Sequence, residues 1–291
     1  MINRILKLIG WIVTGVLLLI TAAFAFFYFQ VEARLAKHYQ VIPQYLEVSY
    51  DSAQLAYGER LTLVKGCRDC HGDNLSGRIF LDDPALGRII GKNLTRGKGG
   101  LPDDYSTDDW VLAMKHGIRR DGKSLLFMPS YEFTLLSEED MAAIIAYARQ
   151  LPPVDNQLPD HALRPLGYVL TALDQFPLIP AERIDHSSTL VRKVKAEVTV
   201  DFGKYLANSC IGCHRPDMKG GDPIAPGFPP VPDITSAGNP GKWTESQFME
   251  VLRTGKTPEG KTLDPANMPW NMTAAYTDTE LKALYTYIKS L

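Results

Sequence analysis

The chain has 291 residues, with 31 Lys and Arg against 33 Asp and Glu, a net charge of −2, and 45% hydrophobic against 22% charged residues. That length holds two modest domains beside a further segment, and the composition is that of a folded globular protein rather than a disordered one. Neither the charge balance nor any basic run gives the electrostatic footprint of a nucleic-acid binder.

Arg4 and Lys7 precede an uncharged run from Leu8 to Val31, 24 residues long. About 20 apolar residues cross a bilayer as a helix. Phe24, Phe26, Phe27, Tyr28 and Phe29 gather at the far end, where aromatic rings favour the membrane–water interface. Residues 1–31 therefore read as a single-pass anchor. Basic residues before the span and Glu32 after it place the N-terminus in the cytoplasm and the body outside. A cleaved signal peptide is the competing reading, with Ala23-Phe24-Ala25 as a small-x-small site. The apolar run, however, exceeds a signal core of about 7–15 residues and continues past that site. Both readings export the body, and bacterial export puts it on the periplasmic side of the inner (plasma) membrane. Residues 32–51 join the span to the exported body.

All four cysteines fall in two clusters, Cys67-Arg68-Asp69-Cys70-His71 and Cys210-Ile211-Gly212-Cys213-His214. Both are Cys-x-x-Cys-His, the attachment motif of c-type haem. Two thiols three residues apart on a helical turn can each add to one vinyl group of the same porphyrin, and the next residue turns its imidazole toward the iron. A shared zinc site, a redox dithiol and disulfides are the alternatives. None of them requires a histidine after each pair. The cofactors implied are two covalently bound haem c groups.

The chain also repeats itself. Tyr57-Gly58-Glu59-Arg60-Leu61 and Phe202-Gly203-Lys204-Tyr205-Leu206 precede the two motifs, and Asn93-Leu94-Thr95 and Asp233-Ile234-Thr235 come after them. Amphipathic stretches run from Ser106 to Gly117 and from Thr244 to Gly255, aligning Trp110 with Phe248. Asp121-Gly122-Lys123 then matches Glu259-Gly260-Lys261, and Met128-Pro129 matches Met268-Pro269. A final helix opens in each copy on a capping-box pattern, Ser137-x-x-Asp140 and Thr277-x-x-Glu280, and carries Tyr147 or Tyr287. Two domains are expected, 52–155 and 198–291. The proline-punctuated connector between them, 156–197, contains an apolar stretch, Ala162–Phe176, that can form a helix despite Pro165.

His71 and His214 supply one axial bond each, so the ligand on the opposite face decides what each iron does. Methionine there raises the reduction potential and belongs to electron-transfer cytochromes. Met128 and Met268 are the candidates, each fixed in a loop by the next proline at the same place in its repeat. Met272, four residues beyond Met268, is the rival in the second domain, and Met218 lies too near its motif to reach the far face. Met114, Met141 and Met249 read as core filler. His116 reads as a packing or surface residue, and His38, His161 and His186 as solvated connector residues. Trp110, Tyr147, Phe248 and Tyr287 are candidate pocket linings.

Each domain resembles class I cytochrome c, with Cys-x-x-Cys-His near the first helix, a Met-Pro loop, and a tyrosine on the last helix. Asn93-Leu94-Thr95, Trp110, Gly117, Asp121-Gly122 and Met128-Pro129 are similar to the cytochrome subunits of membrane alcohol and aldehyde dehydrogenases. Those commonly carry three haem domains where this chain has two. The resemblance implies an all-α fold, a transmembrane helix followed by two small domains, each wrapped round a haem. The expected function is single-electron relay between a quinol-oxidising complex or dehydrogenase and a terminal oxidase or soluble carrier. A fixed subunit of a larger respiratory or photosynthetic complex is a second possibility. A dihaem peroxidase, which needs one iron that can open its distal position, is a third.

Overall fold

The computed structural model describes residues 2–224 and 228–291. Helix α1 (Ile2–Leu35) is apolar along most of its length, and none of its most apolar stretch is buried against the rest of the protein. It is the one helix among the described residues long and apolar enough to cross a membrane. The helix runs past the expected end of the anchor at residue 31. Its last turn is held from outside: Arg34 pairs with Glu182 and Asp174 at 2.7 Å each, and Tyr168 Oη donates to Glu32 Oε1 at 2.7 Å.

The first domain opens with α2 (Ser52–Val64), started by Asp51, whose side chain accepts from Gln54 N. The short α3 (Cys67–His71) comes next. Strands β1 (Arg78–Asp83) and β2 (Gly87–Gly91) form an antiparallel hairpin, a feature that the helical periodicity does not announce. Helices α4 (Thr107–His116), α5 (Ser130–Phe133) and α6 (Glu138–Gln150) complete the unit. Among the described residues, the second domain repeats the helices without the hairpin, as α8 (Val200–Ala207), α9 (Ile211–His214), α10 (Glu245–Thr254), α11 (Trp270–Thr273) and α12 (Asp278–Ser290). The connector supplies β3 (Ala162–Leu163), which pairs with β2 as the third strand, then α7 (Pro165–Ala172) and a 3₁₀ turn over Pro180–Arg183. The expected Ala162–Phe176 helix is thus shorter. Pro165 begins it, at a first-turn position where its missing N–H costs nothing.

Local sequence explains the matched helices. Ser106 and Thr244 close full capping boxes with Asp109 and Gln247, and Gly117 and Gly255 end the helices in the left-handed region. The first and last helices of each domain cross at a glycine. A Cβ on Gly58 would strike the Ala143 carbonyl and come 3.0 Å from Tyr147 Cβ; one on Gly203 would strike the Ala283 carbonyl and come 2.6 Å from Tyr287 Cβ. Only glycine lets the two backbones approach so closely. A single apolar cluster runs through both domains, from Leu61, Trp110 and Ile145 to Phe202, Phe248 and Leu281.

The connector is packed rather than solvated. Pro180 covers Gly117, where the second domain uses its own Trp270 to cover Gly255. His116, read as a packing or surface residue, is 1% exposed and bonds His186 through facing Nδ1 atoms 3.1 Å apart, while Lys115 donates to the Ser188 carbonyl. His186 is therefore a contact residue and not a solvated one. His161 likewise lies beside the sheet, where its Nδ1 accepts from Ile90 N at 3.4 Å.

Candidate haem sites

Each site is built on a short helix that ends in its histidine. Gly72 and Arg215 succeed the two histidines with nearly the same backbone, φ 79 and ψ 162 against φ 67 and ψ 164. Eight residues after the first cysteine, Leu75 and Met218 both sit at positive φ, 55° and 59°. Such a conformation is costly for bulky side chains. It is imposed here by long-range hydrogen bonds: Gly77 N donates to His71 O and Gly220 N to His214 O, while Leu94 N donates to Leu75 O and Ile234 N to Met218 O. Met218 is 1% exposed and serves the core.

That loop returns a carbonyl to each imidazole. His71 Nδ1 lies 2.7 Å from the Lys92 carbonyl oxygen, and His214 Nδ1 lies 3.1 Å from that of Pro232. A carbonyl accepts only, so Nδ1 carries the proton and Nε2 keeps a lone pair for a metal. Burial holds both imidazoles below the usual histidine range, in the neutral, ligating form. No disulfide joins any of the four cysteines. Burial pushes Cys67 up to about 12 and Cys70 and Cys210 to about 11, and raises Cys213 as well. Paired thiols at this spacing, each pair followed directly by an oriented imidazole, suit thioether formation with one porphyrin. No group of three or more His, Cys, Asp or Glu residues among the described residues is placed to hold a metal ion.

The methionine loops are equivalent as well. Ser130 N donates to the Met128 carbonyl at 2.8 Å, and Trp270 N to the Met268 carbonyl at 2.7 Å, in the turn that starts α5 or α11. Both methionines are partly buried. Met128 comes after Phe127, at φ 64°, whose N–H donates to the connector's Leu178 carbonyl at 2.7 Å. Met272 points elsewhere: a Cβ on Gly66 of the first domain would come 3.0 Å from Met272 Cε. Trp110, Phe248 and Tyr287 are buried, whereas Tyr147 is half-buried and leans toward Glu59.

Several residues that sequence reasoning passes over meet where the domains join. Arg60 on α2 pairs with Glu280 of α12 at 2.7 Å. Its counterpart in the repeat, Tyr205 on α8, donates to Asp140 of α6 at 2.6 Å, beside Tyr57 at 2.7 Å. Asp140 is thereby drawn away from the reciprocal half of the expected capping box, and Ser137 N donates to Tyr205 Oη instead; Thr277 and Glu280 form the complete box. Buried Lys65 donates to Ser209 Oγ at 3.1 Å, one residue before Cys210. Glu132, at the position of Met272 in the repeat, points into the other domain, where a Cβ on Gly212 would lie 2.6 Å from its Oε1. Burial raises Glu132 to about 7 although Lys65 opposes the shift. The only sequence signal was the acid itself, in a short helix of otherwise uncharged residues.

Two helical units, each with an imidazole oriented by a carbonyl, a pair of neutral thiols and a methionine loop, define a c-type haem protein. The cytochrome c family matches the chain twice, over residues 55–152 and 201–291, and the chain belongs to that family. It is similar to the cytochrome c subunit of the quinone alcohol dehydrogenase of Gluconobacter oxydans, 25% identical over 270 residues, covering 83% of this chain and 55% of that protein. The fructose dehydrogenase cytochrome subunit of Gluconobacter japonicus is 26% identical over 261 residues, covering 81% and 52%. The gluconate 2-dehydrogenase cytochrome c subunit of Pantoea cypripedii is 35% identical over 102 residues, covering 33% and 23%. The chain spans about half the length of the curated relatives that it matches along most of its own length.

Proposed function

We propose that this chain is a membrane-anchored dihaem cytochrome that accepts single electrons from a dehydrogenase catalytic subunit and passes them to the respiratory chain on the periplasmic face. The observation that carries this reading is the identical orientation of His71 and His214 by backbone carbonyls in two repeats that each end in a Met-Pro loop. Cys67 and Cys70 would hold one porphyrin and Cys210 and Cys213 the other. His71 with Met128, and His214 with Met268, would take the two faces of each iron. Bound there, haem c would supply an iron that cycles between ferrous and ferric, and a methionine ligand would favour the ferrous form.

The protein's own part is to orient the imidazoles, keep them neutral, and exclude water from the buried aromatic surroundings, which raises the potential further. The alcohol, fructose and gluconate dehydrogenase cytochrome subunits that resemble the chain support a dehydrogenase as the electron donor. The domain limits 52–155 and 198–291 are part of the same reading.

Purification of the tagged chain in mild detergent, followed by haem quantification and identification of co-purifying proteins, tests the proposal. Two haems per chain and a co-purifying flavin- or quinoprotein dehydrogenase are expected. One haem, or peroxide turnover without any dehydrogenase, overturns it.

A further inference from the structure

Helix α7 carries no charge, and its residues, Pro-Leu-Gly-Tyr-Val-Leu-Thr-Ala, are apolar nearly all round. A helix of that kind belongs inside a core or in lipid, yet α7 lies on the protein surface. Its inner side is occupied: Gly167 rests on the Leu86 backbone, and Thr171 and Ala172 are buried. Tyr168 packs against α1, with ring centroids 6.3 Å from Phe24 and 4.9 Å from Tyr28. The outer side presents Leu166, 44% exposed, then half-buried Val169 and Leu170 at helical spacing, and is extended by Leu173, the residue just past the helix, 52% exposed. Charges stand only at the two ends, at Arg164 and Asp174.

The position of α7 along α1 says what covers this face. A hydrocarbon layer of about 30 Å takes up roughly 20 residues of helix. Counted from Leu8, that layer ends near Phe27, so Phe24 and Tyr28 lie at its outer edge. Tyr168 meets them at that level, among the aromatic side chains that favour the interface. At the same level, Phe26 and Phe29 on the faces of α1 turned away from α7 are 66% and 68% exposed. The attachment is firm: Arg34 is bound by Glu182, by Asp174 and by the Thr171 carbonyl, and Tyr168 by Glu32.

We infer that α7 is a second membrane contact, an interfacial helix whose Leu166, Val169, Leu170 and Leu173 side chains enter the outer leaflet beside the span. The occupant is lipid, because α7 is packed on α1 at the depth where the apolar span meets water, and its outer side is apolar there. The inference rests on the reading of α1 as a transmembrane anchor. Its consequence is that the first domain is seated on the membrane through the connector and cannot swing on a flexible tether.

Nitroxide labels at Leu166→Cys, Leu173→Cys, Leu18→Cys and Val200→Cys test this in the full haem-loaded chain, in nanodiscs of phosphatidylethanolamine and phosphatidylglycerol. In our reading the native cysteines are consumed by haem, so each introduced thiol is the only free one. Labels at 166 and 173 are expected to collide with oxygen severalfold more often, relative to a water-soluble nickel chelate, than the label at 200, as the label at 18 does. Nickel accessibility at 166 and 173 equal to that at 200, with 18 still lipid-exposed, overturns the interfacial helix and leaves the anchor. An aqueous label at 18 overturns the anchor and the inference together.

Discussion

Glu132 stands four residues past Met128 and ends in the opposite domain, at Gly212 between the second pair of cysteines. Its folded pKa of about 7 exceeds the ordinary 4.5 because burial disfavours the charge. A raised carboxyl takes nothing from stability below pH 4.5, and the fold loses stability as pH rises toward 7, by at most about 3 kcal/mol. Glu132→Gln should therefore raise the thermal midpoint at pH 8 and change it little at pH 4. On the proposed reading, in which Cys210 and Cys213 hold a haem, the same charge would favour ferric iron, so redox titration should show that haem's potential falling between pH 5 and 8 in the native chain and flat in Glu132→Gln. At the methionines, Met128→His or Met268→His should lower the affected potential by on the order of 0.1–0.3 V, a fraction of the ~0.8 V that axial ligands span. Met272→Leu should leave both potentials and the low-spin spectra in place, since Met272 is turned to Gly66 of the first domain.

At the scale of elements, two helix crossings and one substitution between the repeats shape the fold. Gly58 and Gly203 allow α2 to meet α6 and α8 to meet α12 at backbone contact. Gly203→Ala should cost at least about 1–3 kcal/mol by overpacking, read as a lower midpoint for the second domain in thermal unfolding. Where the second domain has Trp270 to cover its helix-ending Gly255, the first has Ser130, which donates to the Ala113 carbonyl and leaves Gly117 open for Pro180. The connector is therefore a missing piece of the first domain's surface. Its proline content suggested a linker because proline marks breaks in regular structure and carries no information about what the segment packs against.

At the scale of the whole molecule, the two domains face each other like the halves of a twofold dimer. Arg60 reaches Glu280 as Tyr205 reaches Asp140, and the matching residues Glu132 and Met272 each cross to the cysteine segment of the opposite domain, at Gly212 and Gly66. A cavity of about 310 Å³ between them is lined by Arg60, Asp140, Lys193, Tyr205, Tyr276 and Glu280. Glu280 is 8% exposed, so removing its partner strands a carboxylate in a poorly solvated place. Arg60→Ala should cost about 2–3 kcal/mol, less than the 3–5 of a fully buried pair because Arg60 keeps some contact with water. Denaturant unfolding followed by haem absorbance and by circular dichroism should then separate into two transitions.

Covalent chemistry and local backbone preference were legible in the chain alone. A thiol pair three residues apart with a histidine next to it has one economical use, and Ser106, Gly117, Thr244 and Gly255 mark helix ends through hydrogen bonds made within a few residues. The hairpin at Arg78–Gly91, the burial of His116 against His186, and the crossing of Glu132 and Met272 into the opposite domain came only with the tertiary structure. Each depends on which distant surface arrives opposite a side chain, and periodicity along a chain reports a buried face without saying what buries it.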